Sequence, residues 1–373
     1  MKLAIVTLIE PNKKNTGGPS GLIWEIQELL KKYTDIQIDT IVINKSSNKY
    51  IAQINTLGFY KSKYKQELNK YDKILLYPDF LLGYMSKDIL SKIIVLGPDA
   101  SSMVGKRKYD VYMQDSSVNW IKKIYQYLYY RRFIYFEKKY IPKVNKFIVV
   151  GENDKYWLQN HFRNKVKDKI VFLRHPLLSY SLSELEKVGF EEVSEKRFIF
   201  SGDMRYSYVG KNIIAIAENL KMLLSNTDNN ISIIVVGKAN KWIADIFSKI
   251  NSVKVQYFSW VEQYQDICQI NRDIHCVPLI AGGGTKNRVL TAIANGLELI
   301  STDIGVENIP IDGLKNIFVC NNMQDFAKQM ITCAQRKIET EKEFGDFIEE
   351  RIDFRRKITN EFKLEMISFI KDR

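Results

Sequence analysis

The 373-residue sequence is poor in the residues that mark several function classes: it has four cysteines, three histidines and no long apolar run. Cys268, Cys276, Cys320 and Cys333 form no C-x-x-C pair and no metal-ligand spacing, so they read as buried thiols and not as a disulfide framework or zinc site. His161, His175 and His275 are scattered, without an H-E-x-x-H or similar cluster, and no metal site is expected. No stretch reaches the roughly 18 uninterrupted apolar residues of a membrane span. The opening MKLAIVTLIEP has one Lys and a short apolar run bounded by Glu10 and Pro11, which suits a buried first strand better than a signal peptide. A cytoplasmic protein is the expectation. No helix-turn-helix, zinc-finger or RNA-recognition signature is present, so no nucleic-acid partner is expected. Internal repeats and low-complexity tracts are missing as well.

What is present is the composition of a folded protein, 45% hydrophobic and 27% charged, on a chain longer than one core usually serves. Two domains follow as the expectation. The net charge of +13 is unevenly placed. Residues 101–150 hold 11 basic and 3 acidic side chains, whereas residues 301–350 hold 5 and 10. Within the basic window, Lys122, Lys123, Arg131, Arg132, Lys138 and Lys139 alternate with Tyr and Phe at helical spacing. Such a pattern is either an amphipathic helix with its aromatics in the core or a basic face for anionic lipid headgroups.

Short apolar runs alternate with helical periodicity along both halves. Leu3–Leu8, Ile36–Ile43, Lys73–Tyr77, Lys92–Leu96 and Lys146–Val150 read as strands, with a glycine loop at Asn15–Gly21 and a helix over Leu22–Lys32. After the charged segment Glu184–Lys196 a second series begins: Arg197–Ser201, Ser232–Val236, Val253–Phe258, His275–Pro278, Glu298–Ser301 and Asn316–Val319. Helices are expected between them over Lys211–Leu224, Ala239–Lys249, Asn287–Ala294 and Met323–Arg336. Alternation of this kind implies two α/β domains with parallel sheets, residues 1–180 and 181–350. The charged tail, residues 351–373, reads as a helix that crosses back onto the first domain.

The most informative local signal is PLIAGGGTKNRVLTAIANGLELISTDIG, residues 278–305. A strand runs into Gly282, Gly283 and Gly284, then Thr285 and Lys286 open a helix. Glycines let the backbone approach an anion closely, and the amides at a helix start favour a phosphate. A turn into a packing helix would look the same.

This segment resembles the nucleotide-sugar region of the family-4 glycosyltransferases of GT-B type, whose common form is P-L-x-x-G-x-G-T-K-x-K-V-L-E-A-M-A-x-G-x-P-V-V-S-T-x-x-G. Pro278, Leu279, Gly282, Gly284, Thr285, Lys286, Arg288, Val289, Leu290, Ala292, Ala294, Gly296, Ser301, Thr302 and Gly305 fit that frame. RFIFSGDMRYSYVGKN resembles the family's loop where an Arg and a Lys meet the donor diphosphate, which points to Arg205 and Lys211. VQYFSWVEQY resembles its F-x-G-W-V segment, placing Trp260 and Val261 near the base. NTGGPSG resembles the first glycine loop, placing Gly17 and Gly18 near the phosphates and the transferred sugar. The family's E-x7-E carboxylates fall on Gly283 and Thr291, so Thr291 offers only a hydroxyl to the ribose. Glu298 stands where Pro is usual, and LGPDASS puts Asp99 where a histidine commonly faces the reacting sugar.

The resemblance implies two Rossmann-like domains facing a central cleft. It implies transfer of a hexose from a UDP- or GDP-sugar to a saccharide or lipid-linked saccharide in surface polysaccharide or glycan assembly, with retention and without a metal or cofactor. Attachment to the inner face of the cell membrane is compatible with it. A non-catalytic GT-B partner of another transferase, favoured by the missing carboxylates, and a nucleotide-sugar epimerase remain the alternatives.

Overall fold

The computed structural model describes residues 1–12, 19–43, 65–97, 99–162, 164–178, 182–193, 195–225, 230–261, 266–336 and 340–371. The chain divides into two compact units: residues 1–109, 117–180 and 358–373 form one, and residues 110–116 and 181–357 the other.

The first unit is a parallel six-stranded sheet built from β1 (Lys2–Thr7), β2 (Gln37–Val42), β3 (Lys73–Leu76), β4 (Ile93–Leu96), β5 (Lys146–Val149) and β6 (Ile170–Phe172), in the order β2-β1-β3-β4-β5-β6. Its apolar runs are nearly continuous because both faces are covered, as in parallel sheets generally. Alternate residues of β1 serve opposite faces. Leu3 and Ile5 pack with Leu22, Ile23 and Ile26 of α1 (Pro19–Tyr33), while Ala4 and Val6 join a second cluster. That second cluster takes Phe136 and Tyr140 from α3 (Trp120–Tyr140), which follows α2 (Ser101–Gln114), and Leu158 from α4 (Glu152–Gln159).

The second unit repeats the plan. Its strands are β7 (Arg197–Phe200), β8 (Ile231–Val236), β9 (Val253–Phe258), β10 (Asp273–Val277), β11 (Glu298–Ser301) and β12 (Ile317–Val319), in the order β12-β11-β10-β7-β8-β9. The helices between them are α5 (Asn212–Leu224), α6 (Lys241–Phe247), α7 (Asn287–Ala294) and α8 (Met323–Gln335). The last helix, α9 (Glu341–Lys371), starts in the second unit and ends in the first. There Phe362, Met366 and Ile370 complete the cluster around Leu3 and Ile5.

Strand expectations hold to within a few residues, and β6, α2 and α4 are among the elements that were not anticipated. A three-residue strand carries too little alternation to register. β10 begins at Asp273, earlier than expected, because the Arg197 guanidinium forks onto its buried carboxylate with two 2.7 Å bonds. Pairing makes a charge tolerable inside a parallel sheet. Glu298, the departure from the family's Pro, is explained the same way. Its carboxylate is held by Lys196 at 2.9 Å and by Arg336.

α3 corrects one reading. It is a helix, but its aromatics do not all face the core: Phe136 and Tyr140 are buried, whereas Trp120, Tyr125, Tyr127 and Tyr135 are exposed.

Candidate functional site

Strand order reverses between β10 and β7 in the second unit, since β7 leads away to β8 and β10 leads the other way to β11. The carboxyl ends of the two strands flanking such a reversal form the crevice where open α/β sheets bind ligands. Two loops leave those ends, Ser201–Lys211 from β7 and Pro278–Lys286 from β10, and they are tied together. The Ile280 amide donates to the Tyr208 carbonyl at 2.8 Å, and the Asn212 side chain donates to the Pro278 carbonyl at 3.1 Å.

The β7 loop is held from beneath. Asn240, fully buried, donates to the carbonyls of Gly202 and Val236 and accepts from the Met204 amide. Gly202 has φ +82°, and a Cβ there would lie 2.2 Å from the guanidinium carbon of Arg288. Only glycine fits both the backbone and that close approach. Arg288 in turn donates to the Ser201 carbonyl at 2.5 Å, so a cation from α7 sits on the end of β7. Beneath them the Ser201 hydroxyl meets His275 Nε2 at 3.0 Å. Burial, followed by the Arg288 charge, pushes His275 down to about 3, so the ring is neutral.

Arg205 and Lys211 both lie on this loop. Arg205 is exposed and forks onto Asp203 with bonds of 2.8 and 2.5 Å. Lys211 precedes α5, is exposed, and pairs at 3.6 Å with the buried Asp115. Asp115 also accepts from the Tyr206 hydroxyl at 2.7 Å, and burial together with that bond pushes Tyr206 up to about 12.

The β10 loop carries the triple glycine. Gly282 and Gly284 have φ of 155° and 58°, and Lys286, buried, donates to the Gly284 carbonyl at 3.0 Å. Its ammonium also pairs with Glu307 at 3.1 Å. Asn308 donates to the same Gly284 carbonyl at 3.0 Å. No side chain caps the start of α7, which opens directly after this loop. Thr285 is buried, Gly283 is half-buried, and Thr291 is half-buried in the second turn of α7.

Arg205, Lys211, Gly282, Gly283, Gly284, Thr285 and Lys286 thus share two joined loops at the switch point. The remaining expected residues are placed elsewhere. Trp260 is exposed beyond the end of β9, at the sheet edge, and Val261 packs against Ile199, Ile234 and Val236. Gly17 and Gly18 lie outside the described residues. Asp99 is half-buried on the turn between β4 and α2 of the first unit.

That turn is supported by carboxylates the sequence reading did not single out. Asp154 accepts from the Ala100 amide at 2.7 Å and Glu137 from the Ser102 amide at 2.8 Å. The Trp157 indole donates to the Ser102 hydroxyl at 2.8 Å. Burial pushes Glu137 up to about 8 and Asp79 up to about 6. Asn240, Arg288, Glu307 and Asp115 were also missed as site residues. Arg288 alone had left a trace, as the last basic position of the T-K-x-K frame. Among the described residues no group of His, Cys, Asp and Glu assembles as a metal cluster, and no helix is long and apolar enough to cross a membrane.

The family model described as Glycosyl transferases group 1 matches residues 195–336, which contain both loops. No curated protein matches the chain in sequence. Among solved structures, sucrose-phosphate synthase from Thermosynechococcus elongatus is similar with a TM-score of 0.62 at 10% identity, over 100% of this chain and 98% of that one. WaaG, a glycosyltransferase involved in lipopolysaccharide biosynthesis, gives 0.58 at 12% identity over 100% of both chains. A glycosyltransferase from Rickettsia africae ESF-5 gives 0.53 at 14% identity, covering 98% of this chain and 95% of its own. At such identities the likeness speaks for the fold, two parallel six-stranded sheets of GT-B type. Residues 195–336 therefore match a Glycosyl transferases group 1 domain, set on a framework with the GT-B fold.

Proposed function

We propose that the chain transfers a hexose from a UDP- or GDP-linked donor to a saccharide or lipid-linked saccharide in surface polysaccharide or glycan assembly, working peripherally at the inner face of the cell membrane. The observation that carries the donor assignment is the switch-point crevice, where Arg205 and Lys211 share joined loops with the triple glycine and the uncapped start of α7. Amides at a helix start and cationic side chains stabilise the negative charge that grows on a departing diphosphate. Thr291, one turn into α7, would face the ribose, with Trp260 and Val261 toward the base and Gly17 and Gly18 near the transferred sugar. Asp99 would stand by the reacting sugar, held by the amide contacts of Asp154 and Glu137 around its turn. Retention of configuration and catalysis by protein charges alone complete the reading, and both follow from the family resemblance.

The test is a thermal-shift and calorimetric titration of the full chain with UDP, GDP, CMP and dTDP. A ligand that binds the native state must raise its apparent stability, by about 2.7 kcal/mol at a hundredfold excess over Kd. UDP or GDP should give the largest shift, and a flat response to every nucleotide would reject the donor assignment.

A further inference from the structure

α3 is apolar on two sides. Its inner side places Gln126, Phe136, Glu137 and Tyr140 in the first unit. On its outer side stand Trp120, Ile124, Leu128 and Tyr135, with exposures of 67%, 49%, 60% and 55%. Their spacing returns each to the same helix face, so they form one ridge about 22 Å long, apolar from Trp120 to Leu128 and interrupted by the exposed Arg131 before Tyr135. Ile121 and Tyr125, 58% and 63% exposed, widen it. An exposed apolar ridge on a helix already packed along its other side marks an interaction surface.

Charge decides what covers it. Lys122, Lys123, Arg131, Arg132, Lys138 and Lys139 lie along this helix, and its one acid, Glu137, is turned inward onto the Ser102 amide. A second copy docking through the same face would set these cations against their own counterparts, which repel. An anionic bilayer satisfies both features at once, since its headgroups take the cations and its interface takes Trp, Tyr and aliphatic side chains.

We infer that α3 is an in-plane membrane-inserting helix, whose Trp120–Ile124–Leu128–Tyr135 ridge enters the interface of an anionic bilayer while its Lys and Arg side chains engage the headgroups. Attachment is therefore not electrostatic alone. The inference deepens the proposed membrane-side role and rests on it for its purpose, but its test needs neither donor nor acceptor. Loss of nucleotide binding would sink the transfer reading and leave this one standing.

The experiment is sedimentation of the full chain with vesicles of phosphatidylcholine alone and of phosphatidylcholine mixed with phosphatidylglycerol. The native chain should pellet with the anionic vesicles only, with a blue shift of tryptophan emission that Trp120→Phe removes. At about 1 M salt, where charges are screened beyond about 3 Å, part of the binding should survive. Ile124→Asp/Leu128→Asp should weaken partitioning at least tenfold with unchanged circular dichroism, because both side chains are exposed. A failure of the native chain to bind anionic vesicles would overturn the inference. So would equal binding by the double variant, or a native dimer that the double variant dissociates, which would assign the ridge to a second copy.

Discussion

Lys286 Nζ lies 3.1 Å from a carboxylate oxygen of Glu307, and each side chain is only 7% exposed. The pair closes the glycine loop, since the same ammonium also donates to the Gly284 carbonyl. Removing one partner of a buried pair leaves an uncompensated charge, which costs about 3–5 kcal/mol, whereas replacing both by apolar residues is often close to neutral. Glu307→Ala should therefore lower the urea midpoint sharply, and Lys286→Met/Glu307→Leu should recover most of the loss. A double-variant loss equal to the sum of the separate Lys286→Met and Glu307→Leu losses would show that the two groups do not interact.

Diphosphate recognition is expected to depend on the β7 loop. Charge-assisted contacts to phosphate are worth about 1.5–3 kcal/mol each, so Lys211→Ala and Arg205→Ala should each weaken nucleoside-diphosphate binding about tenfold or more. Bare nucleoside affinity should hardly change. Both side chains are more than half exposed, so folding should be preserved. Calorimetry on the two variants and their double reads the outcome, and unchanged diphosphate affinity in all three would place the phosphates elsewhere.

Glu137 makes the first unit sensitive to alkali. Burial raises its carboxyl to about 8, above the ordinary value, so the native state holds a proton that the unfolded chain has lost. The associated stability is complete below about pH 4.3 and disappears as pH rises through about 8. Glu137→Gln should accept the Ser102 amide without a charge. It should melt higher than the native chain at alkaline pH, by roughly 2–4 °C for each kcal/mol, with the gap closing in mild acid. A gap independent of pH would show that Glu137 is ionised in the native state.

Acid should act through the histidines. Burial lowers His175 to about 4 and, with Arg288, His275 to about 3, so the unfolded state takes up protons that the native state refuses. Their contribution is intact above about pH 6.5 and is lost as pH falls through the folded values. Each histidine steepens the slope by up to about 1.4 kcal/mol per pH unit. His275→Gln should flatten the slope of the urea midpoint below pH 6.5, and an unaltered slope would mean the ring is protonated in the fold.

Much of the framework was legible in advance. Parallel strands buried on both faces are short continuous apolar runs, and Ile93–Leu96 and Ile231–Val236 form as their composition requires. β10 was misjudged at its start, because Asp273 reads as a turn residue until Arg197 is seen to neutralise it. The site was legible as loops and not as contacts. The T-K-x-K frame located Lys286 and Arg288, but nothing in it showed that one would meet Glu307 and the other the end of β7.

The sequence by itself determined the two series of strands, the glycine loop ahead of α7 and the concentration of positive charge in α3. Each is a local property, carried by periodicity, by backbone freedom at glycine or by composition. Tertiary structure decided that β7 lies against β10, which brings residues 201–211 beside residues 278–286. It decided that Lys211 is held by Asp115 from a segment nearly a hundred positions earlier. It also decided which side of α3 faces solvent. A helix with apolar residues on opposite faces has no preferred inward direction of its own, and only the packing of Phe136 and Tyr140 into the first unit leaves Trp120, Ile124 and Leu128 outside.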